Sequence, residues 1–244
     1  MVKFRYEGGR IRMNKKISIK TSEDYFDSLR NRNLTVYYFG EQIDEPIDHP
    51  IIRPSVNAVA KTYDLAIENP EIASVTSPFT NKKINRFLHI AQSSEDVVMQ
   101  NKMQRRLGQL TGTCFQRCVG MDALNSLFSV TYEIDEKYNS SYHEKFKEFI
   151  VMVQNGGFVI GGAMTDVKGD RSLAPHQQND PDLYVHITKR TNNGVYISGA
   201  KAHQTGCLNS HWMIVMPTLR LGEKDKDYAI VGAIPTDAKG ITYI

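Results

Sequence analysis

The sequence predicts an α+β protein in which a mainly helical part is followed by a mainly β part. Apolar residues recur at helical spacing in several segments before the turn Asn155-Gly156-Gly157. After that turn the apolar runs are short and rich in β-branched and aromatic residues, as in strands. Asn192-Asn193-Gly194 separates two of these runs and is typical of a hairpin turn. We therefore expect a helical domain over 21–156 and a β domain over 157–244. Residues 1–20 are expected to form a basic, disordered leader.

Local signals place the individual elements. A hydroxyl residue followed by two acids suits a helix N-cap and the positive end of the helix dipole, and proline is favoured in a first helical turn. These signals predict helix starts at Thr21, Ser93 and Arg53-Pro54, and apolar spacing predicts a further helix from Tyr142 to Val153. The predicted strands are Val36–Phe39, Phe158–Ile160, Leu183–Thr188, Val195–Ser198, Trp212–Met216, Tyr228–Val231 and Gly240–Ile244.

Composition excludes several classes of protein. Among 244 residues, 41% are hydrophobic and 23% are charged, which is ordinary for a soluble globular chain. The net charge of +3 is too small to indicate nucleic-acid binding, and no apolar run approaches the roughly 20 residues of a membrane span. Three cysteines and no signal-peptide pattern argue against a secreted disulfide framework. The sequence predicts a cytoplasmic protein without nucleic-acid or membrane partners.

Cys114 and Cys118 are the first candidates for a functional site, because their spacing of four residues would put both sulfurs on one face of a helix. Such a pair could form a disulfide or bind a metal ion or an iron–sulfur cluster. Two buried, inert thiols are the alternative, since cysteine is a common core residue. Two thiolates are also too few for a cluster, which usually has about four protein ligands.

Two polar, glycine-rich segments that follow predicted strands are further candidates. Gly161–Arg171 combines glycines, hydroxyls and alternating charges, so it could approach a polar ring or could be a plain surface turn. Gly199–Gly206 carries His203, and His211 follows shortly after. Both histidines could be ligands or general bases, although ordinary loop histidines are the favoured interpretation. Cys207 could supply a third ligand or be an unremarkable thiol.

Several long motifs together resemble one family. TGTCFQRCVGMD, TYEIDEKY, GAMTDVKGDRSLAP with DPDLY, and GAKAHQTG with NSH and IVMPT are similar to segments of the 4-hydroxybutyryl-CoA dehydratases. These enzymes belong with the 4-hydroxyphenylacetate 3-hydroxylase flavoproteins. The resemblance runs from about Tyr25 to Ile244. It implies an acyl-CoA dehydrogenase-like fold, with a helical domain, an incomplete β-barrel domain, and no C-terminal helical bundle in this chain.

The resemblance also implies a chemistry. Family members carry FAD and a [4Fe-4S] cluster, convert 4-hydroxybutyryl-CoA to crotonyl-CoA and isomerise vinylacetyl-CoA. The proton at C3 of the acyl chain is not acidic, so the implied mechanism passes through a ketyl radical, with the flavin as electron acceptor and the cluster iron as Lewis acid. The alternatives are a flavin-dependent aromatic monooxygenase of the same superfamily, for which the two cysteines have no evident use, and an inactive remnant.

The implied site residues fall into three sets. Cys114 and Cys118 are implied as cluster ligands. Gln116 and Thr205 are implied as catalytic, Thr205 lying close to the flavin ring. Lys201 and His203 stand beside Thr205 in sequence and receive no catalytic role. The implied flavin-binding residues are Met164, Thr165, Asp166, Lys168, Arg171 and Thr205.

In the family, two further cluster ligands, a histidine and a third cysteine, correspond to positions beyond Ile244. Cys207 is not expected to replace that cysteine, so the chain carries an incomplete ligand set. We expect the N-terminal part of a split enzyme, a truncation or a gene remnant, with little activity by itself. An acyl-CoA substrate and either a homo-oligomer, a tetramer in the family, or a second polypeptide are the implied partners. Met13 is an alternative start to Met1.

Overall fold

The computed structural model describes residues 18–192 and 194–244, together with the backbone of strands 2–3 and 6–7. The chain divides into two compact units. The helical unit comprises Lys15–Arg30 and Pro50–Ile160, and the β unit comprises Met1–Asn14, Asn31–His49 and Gly161–Ile244. The segment 31–49 therefore interrupts the helical unit in sequence. The predicted domain boundaries stay a prediction, and the alternative start at Met13 lies outside the described residues.

Six α-helices are present in the described ranges, and all belong to the helical unit. They are α1 Ser22–Leu29, α2 Arg53–Glu68, α3 Pro70–Ala73, α4 Ser94–Thr111, α5 Cys118–Tyr138 and α6 Tyr142–Gly156. Short 3-10 helices occupy Pro46–Asp48, Arg86–Leu88, Pro175–Gln177, Pro181–Leu183, Cys207–Asn209 and Glu223–Tyr228.

The predicted helix starts are confirmed where a local cap specifies them. The Thr21 hydroxyl accepts a hydrogen bond from the Asp24 backbone N–H, and the Asp24 carboxylate accepts one from the Thr21 backbone N–H, which completes a capping box. Ser93 caps α4 in a similar way, since its hydroxyl accepts a hydrogen bond from the Asp96 N–H. Pro54 lies in the first turn of α2, where its missing N–H costs no hydrogen bond.

Apolar faces of α2, α4 and α5 meet in the core of the helical unit. Leu107 is fully buried there, and burying such a side chain stabilises the fold by about 1.5–3 kcal/mol. This core consists of Leu65, Ala73, Phe87, Met103, Leu107, Phe115 and Met121. Phe115 belongs to the loop between α4 and α5, so the core reaches the segment that carries the two candidate cysteines.

Thirteen strands are described. They are β1 Val2–Lys3, β2 Tyr6–Glu7, β3 Thr35–Tyr38, β4 Glu41–Gln42, β5 Ser74–Thr76, β6 Lys83–Asn85, β7 Ile160–Ala163, β8 His186–Thr191, β9 Gly194–Ser198, β10 Ala200–Lys201, β11 Trp212–Val215, β12 Gly232–Pro235 and β13 Thr242–Tyr243. Their sheet orders are β10-β1-β13-β3-β4, β12-β11-β7, β2-β9-β8 and β5-β6. The β unit packs around the buried residues Val36, Ala163, Val185, Ile197, Met213, Val215, Ile234, Ile241 and Tyr243.

The mixed helix-and-sheet class is confirmed, but these sheets form no closed barrel within the described residues. Closure requires continuous strand pairing around a ring. Here the strands have two to six residues and belong to separate sheets. The hairpin predicted at 192–194 is confirmed, because β8 and β9 pair antiparallel with Thr191 opposite Gly194. Asn193 itself lies outside the described residues.

Several strand boundaries differ from the predicted ones. The strand predicted at Phe158 begins at Ile160, and the one predicted at Leu183 begins at His186. The predicted strand Tyr228–Val231 is wrong, since a 3-10 helix continues through Tyr228 and the strand begins at Gly232. A hydrogen bond from the Gly222 N–H to the Asp225 carboxylate stabilises the first turn of this 3-10 helix, although the residues that follow favour a strand. No helix in the part of the chain that the structure describes has the length and apolarity needed to cross a membrane.

Candidate functional site

The two cysteines do not share a helix face, contrary to the prediction from their spacing. Helix α4 ends at Thr111 and α5 begins at Cys118, so Cys114 lies in the loop between them. Gly112 ends α4 in the left-handed conformation with φ 60°, and Gln116 also has φ 60°. Two left-handed residues cannot continue a right-handed helix, so the backbone turns between the thiols.

Both thiols of this cysteine loop, residues 112–118, are free of disulfides. Cys114 is exposed and Cys118 is half-buried. The backbone N–H of Gln116 points at the Cys114 sulfur, with 3.4 Å between nitrogen and Sγ. Burial and the neighbouring Cys114 raise the pKa of Cys118, although the Val119 N–H at the start of α5 acts in the opposite direction. A thiolate at Cys118 is therefore less favoured than at an exposed cysteine.

Arg117 anchors the cysteine loop in the core of the helical unit. Its side chain is 2% exposed and donates hydrogen bonds to Thr62 Oγ1 at 2.8 Å and to the Phe158 carbonyl at 3.3 Å. The guanidinium carbon lies 4.9 Å from the centre of the Tyr63 ring and 5.0 Å from that of Phe87. Burial lowers the pKa of Arg117 and raises that of Tyr63 to about 12. In the described ranges no carboxylate pairs with Arg117, so aromatic faces and carbonyl or hydroxyl oxygens stabilise its charge.

The first turn of α5 is also fixed by close packing. A methyl group added at Gly120 would lie 2.0 Å from the Ile160 carbonyl oxygen, so only glycine permits this approach. One turn later, Asn125 accepts a hydrogen bond from the Ala91 N–H at 2.8 Å and donates to the His89 carbonyl at 3.1 Å. The helix that carries Cys118 is therefore held to two other segments of its unit.

The β unit brings two of the predicted flavin-binding segments together. The Ala202 N–H donates to the Thr165 carbonyl at 2.9 Å, and the Gln204 side-chain amide donates to the same oxygen at 3.3 Å. Loops 164–168 and 202–206 therefore lie side by side. Met164 is 37% exposed and Thr205 is exposed, so an apolar side chain and a hydroxyl face solvent on adjacent loops.

Asp166 is buried and its carboxylate is engaged inside the protein. The Lys201 ammonium donates to Asp166 Oδ1, to the Met164 carbonyl at 3.0 Å and to the Met216 carbonyl at 2.7 Å. The second Asp166 oxygen accepts hydrogen bonds from the Thr218 hydroxyl at 2.9 Å and from its backbone N–H at 3.3 Å. Burial lowers the pKa of Lys201, and Asp166 acts against this shift.

The remaining predicted flavin contacts lie further along the first loop. Lys168 is half-buried with φ 78°, and its carbonyl accepts a hydrogen bond from the Tyr184 hydroxyl at 3.0 Å. Arg171 is exposed. A cavity that both Asp166 and Lys201 line has a volume of about 10 Å³, enough for about one water molecule. This cavity is too small for a ring system.

The other sequence candidates are less suited to a metal. Within 18–192 and 194–244, no group of three His, Cys, Asp or Glu side chains is arranged to hold a metal ion. His203 is exposed in a left-handed turn with φ 54°. Cys207 packs against the core of the β unit, and burial raises its pKa to about 11. It therefore behaves as a small apolar residue.

Sequence reasoning missed the structural roles of Arg117 and Lys201. Strand alternation does not reveal Lys201, because Gly199 with φ 134° separates β9 from β10 and the neighbouring Ala200 is buried as well. Arg117 has no sequence signal either, because its partners Thr62 and Phe158 are distant in sequence.

The fold and these motifs define a family. The family described as 4-hydroxyphenylacetate 3-hydroxylase N terminal matches residues 21–244, and the chain belongs to it. Its sequence is 51% identical over 229 residues to the 4-hydroxybutyryl-CoA dehydratase/vinylacetyl-CoA-Δ-isomerase of Clostridium aminobutyricum, which covers 93% of this chain and 46% of that protein. The resemblance predicted from the motifs is thereby confirmed.

Solved structures agree with this assignment. An oxygen-tolerant 4-hydroxybutyryl-CoA dehydratase from N. maritimus is 65% identical with a TM-score of 0.90, over 92% of this chain and 45% of that one. The oxygenase component of 4-hydroxyphenylacetate 3-monooxygenase, solved with FAD, is 22% identical with a TM-score of 0.71 over 90% and 45% of the two chains, and it shares the fold. The chain spans about half the length of the relatives it matches.

The two implied cofactors fit the described residues to different degrees. The exposed side of loops 164–168 and 202–206 offers an apolar side chain, hydroxyl groups and backbone, which suit a flavin ring. The cysteine loop offers two thiols, whereas a [4Fe-4S] cluster usually takes about four ligands. The described residues therefore do not complete a cluster site.

Proposed function

We propose that this chain is part of a lyase of the 4-hydroxybutyryl-CoA dehydratase type, which forms crotonyl-CoA and also isomerises vinylacetyl-CoA. The observation that carries the proposal is the anchored loop with two free thiols in a chain 51% identical to such an enzyme. Monooxygenases of the same family are only 22–25% identical to this chain, and hydroxylation has no evident use for the two thiols.

FAD is the proposed cofactor of the β unit and supplies one-electron chemistry when it is bound. We assign Met164, Thr165 and Thr205 to contacts on the exposed side of the paired loops. Asp166 supports these loops from the interior, because its buried carboxylate accepts a hydrogen bond from the Lys201 ammonium. The proposed contacts further along the loop are Lys168 and Arg171.

Gln116 and Thr205 are the proposed residues for orienting the acyl part of the substrate. Gln116 is 9% exposed and has a left-handed backbone conformation between the two cysteines. Thr205 is exposed in a turn where its N–H donates to the His203 carbonyl at 3.0 Å. An acyl-CoA thioester offers carbonyl and hydroxyl oxygens that an amide and a hydroxyl can bind.

Cys114 and Cys118 are proposed to contribute two ligands of an iron–sulfur cluster. The other ligands would come from outside the described residues. Activity then requires the remainder of a full-length enzyme, either in the same polypeptide or in a second one. We further expect the complete enzyme to form a homo-oligomer.

The test is to purify the protein without oxygen, with and without the product of the neighbouring downstream reading frame. We expect one FAD and about four irons per complete complex, as a single cubane cluster requires, and dehydration of 4-hydroxybutyryl-CoA. C114S and C118S should lose iron and activity. C207S is the matched control and should keep both, since Cys207 packs as an apolar residue.

Two other outcomes would refute the dehydratase assignment. Flavin binding without iron, together with hydroxylation of a phenol, would indicate the monooxygenase function instead. Absence of both flavin and iron from every preparation would leave an inactive member of the family.

A further inference from the structure

Lys201 joins three separate segments of the β unit through one buried ammonium group. Its side chain is 1% exposed, and each of its three N–H bonds has an acceptor. The acceptors belong to Asp166, Met164 and Met216, which lie in the loop after β7 and in the segment after β11. The ammonium group is therefore enclosed by protein, and all three of its donors are engaged there.

Asp166 extends this connection. One carboxylate oxygen accepts from Lys201, and the other accepts two hydrogen bonds from Thr218. The backbones of Asp166 and Lys201 also form an antiparallel bridge, next to the hydrogen bond from Ala202 to Thr165. Hence the Lys201–Asp166 ion pair is one of several contacts that hold loop 164–168 beside loop 202–206, and it is the one formed by buried charges.

We propose that Lys201 is the positioning residue of the flavin-contacting surface. It acts through Met164 and Asp166 and touches no ligand itself. This inference rests on the proposed function, because it assumes that the exposed side of the two loops binds FAD. The physical reason is that hydrogen bonds are directional. The bonds from the Lys201 ammonium to two carbonyl groups and a carboxylate therefore fix the loop backbone more closely than apolar packing would.

The experiment separates positioning from simple stabilisation. K201M leaves the Asp166 carboxylate buried without its cation, so this variant is expected to unfold more easily. The double variant K201M/D166L removes both charges, and replacing a whole buried ion pair by apolar residues often costs no stability. The Met164 and Met216 carbonyls and the Thr218 hydroxyl then lose one partner each. Lys239 is exposed in the same unit, and K239M is the matched control.

FAD binding is measured by the change in flavin absorbance and visible circular dichroism. We expect K239M to behave as the wild-type protein. We expect K201M/D166L to fold but to bind FAD about tenfold or more weakly, as when groups that support ligand contacts are lost, with an altered flavin spectrum. A double variant with wild-type affinity and spectrum would overturn the positioning role.

Hydrogen exchange at the Ala202 and Thr218 amides provides a readout that needs no flavin. Both amides should lose protection in the double variant, because their acceptors are displaced or removed. If the wild-type protein binds no FAD, the flavin part of the proposed function fails, and the exchange rate of Ala202 still decides whether Lys201 fixes the loops. Unchanged protection at Ala202 would refute the proposal in either case.

Discussion

Arg117 and Lys201 are both buried cations, and the structure stabilises them in different ways. Lys201 has a carboxylate partner and two carbonyl acceptors. Arg117 has a hydroxyl, one carbonyl and two aromatic rings instead. Because a guanidinium is planar and more weakly hydrated than an ammonium, stacking between rings costs it less desolvation energy. The position between two cysteines therefore favours arginine over lysine.

Replacing Arg117 tests whether its volume or its charge matters more for the helical unit. R117A should lower the free energy of unfolding by about 2–5 kcal/mol, as large-to-small core substitutions do. R117M should cost less, because it keeps most of the volume and removes a desolvated charge. Urea unfolding measures both values.

Arg105 on α4 is exposed, so R105A is the control and should change stability by less than about 0.5 kcal/mol. If R117M proves as unstable as R117A, the hydrogen bonds to Thr62 and Phe158 outweigh packing at this position.

At the scale of elements, two glycines in neighbouring helices have opposite surroundings. An added methyl group at Gly120 in α5 would meet the Ile160 carbonyl at 2.0 Å. At Gly108 in α4 it would meet nothing within 4 Å. The first glycine allows close packing of the helix that carries Cys118, whereas the second has no packing role.

The paired substitutions G120A and G108A should therefore act in opposite directions. G108A should stabilise the protein by about 0.5–1 kcal/mol through helix propensity alone. G120A should destabilise it by about 1–3 kcal/mol, because overpacking exceeds that gain. Chemical denaturation measures the free energy of unfolding of both variants. Stabilisation by G120A would contradict the prediction and show that α5 can move away from Ile160.

The elements differ in how far the sequence could predict them. Helix starts at Thr21 and Ser93 are confirmed because each cap is formed by residues within three positions. The strand predicted at Tyr228 is wrong, since its β-forming residues follow a turn that Asp225 stabilises. The β-forming residues at 228–231 therefore lie at and directly after the end of a 3-10 helix, and the strand begins only at Gly232.

For the whole molecule, acid sensitivity follows from carboxylates in both units. Burial alone would raise the pKa of Asp225, but hydrogen bonds from His176 and Gly222 outweigh it, so the pKa lies below the ordinary 3.8. In Asp24 a hydrogen bond from the Lys20 backbone is the main cause, and that pKa is lowered as well. A depressed pKa in the folded state gives stability that is present above the unfolded value and is lost as pH falls through the folded value.

The melting temperature should accordingly be lower at about pH 4 than at about pH 5 and fall steeply below about pH 4. D225N should lower it at neutral pH and flatten its decline in acid, because one linked carboxylate is gone. D237N, at an exposed position, should leave the curve unchanged. Circular dichroism melting between these pH values is the measurement, and a melting temperature that rises on acidification would contradict the prediction.

The sequence by itself determined the α+β class, the capped helix starts, the hairpin at 192–194 and the family, because these depend on local contacts or on long contiguous motifs. Tertiary structure alone decided that Arg117 anchors the cysteine loop in the core and that Asp166 faces inward. The partners that cause this are distant in the chain: Arg117 bonds Thr62 across 55 positions and Lys201 bonds Asp166 across 35. A pattern read over a few residues cannot contain such contacts, which form only when the chain has folded.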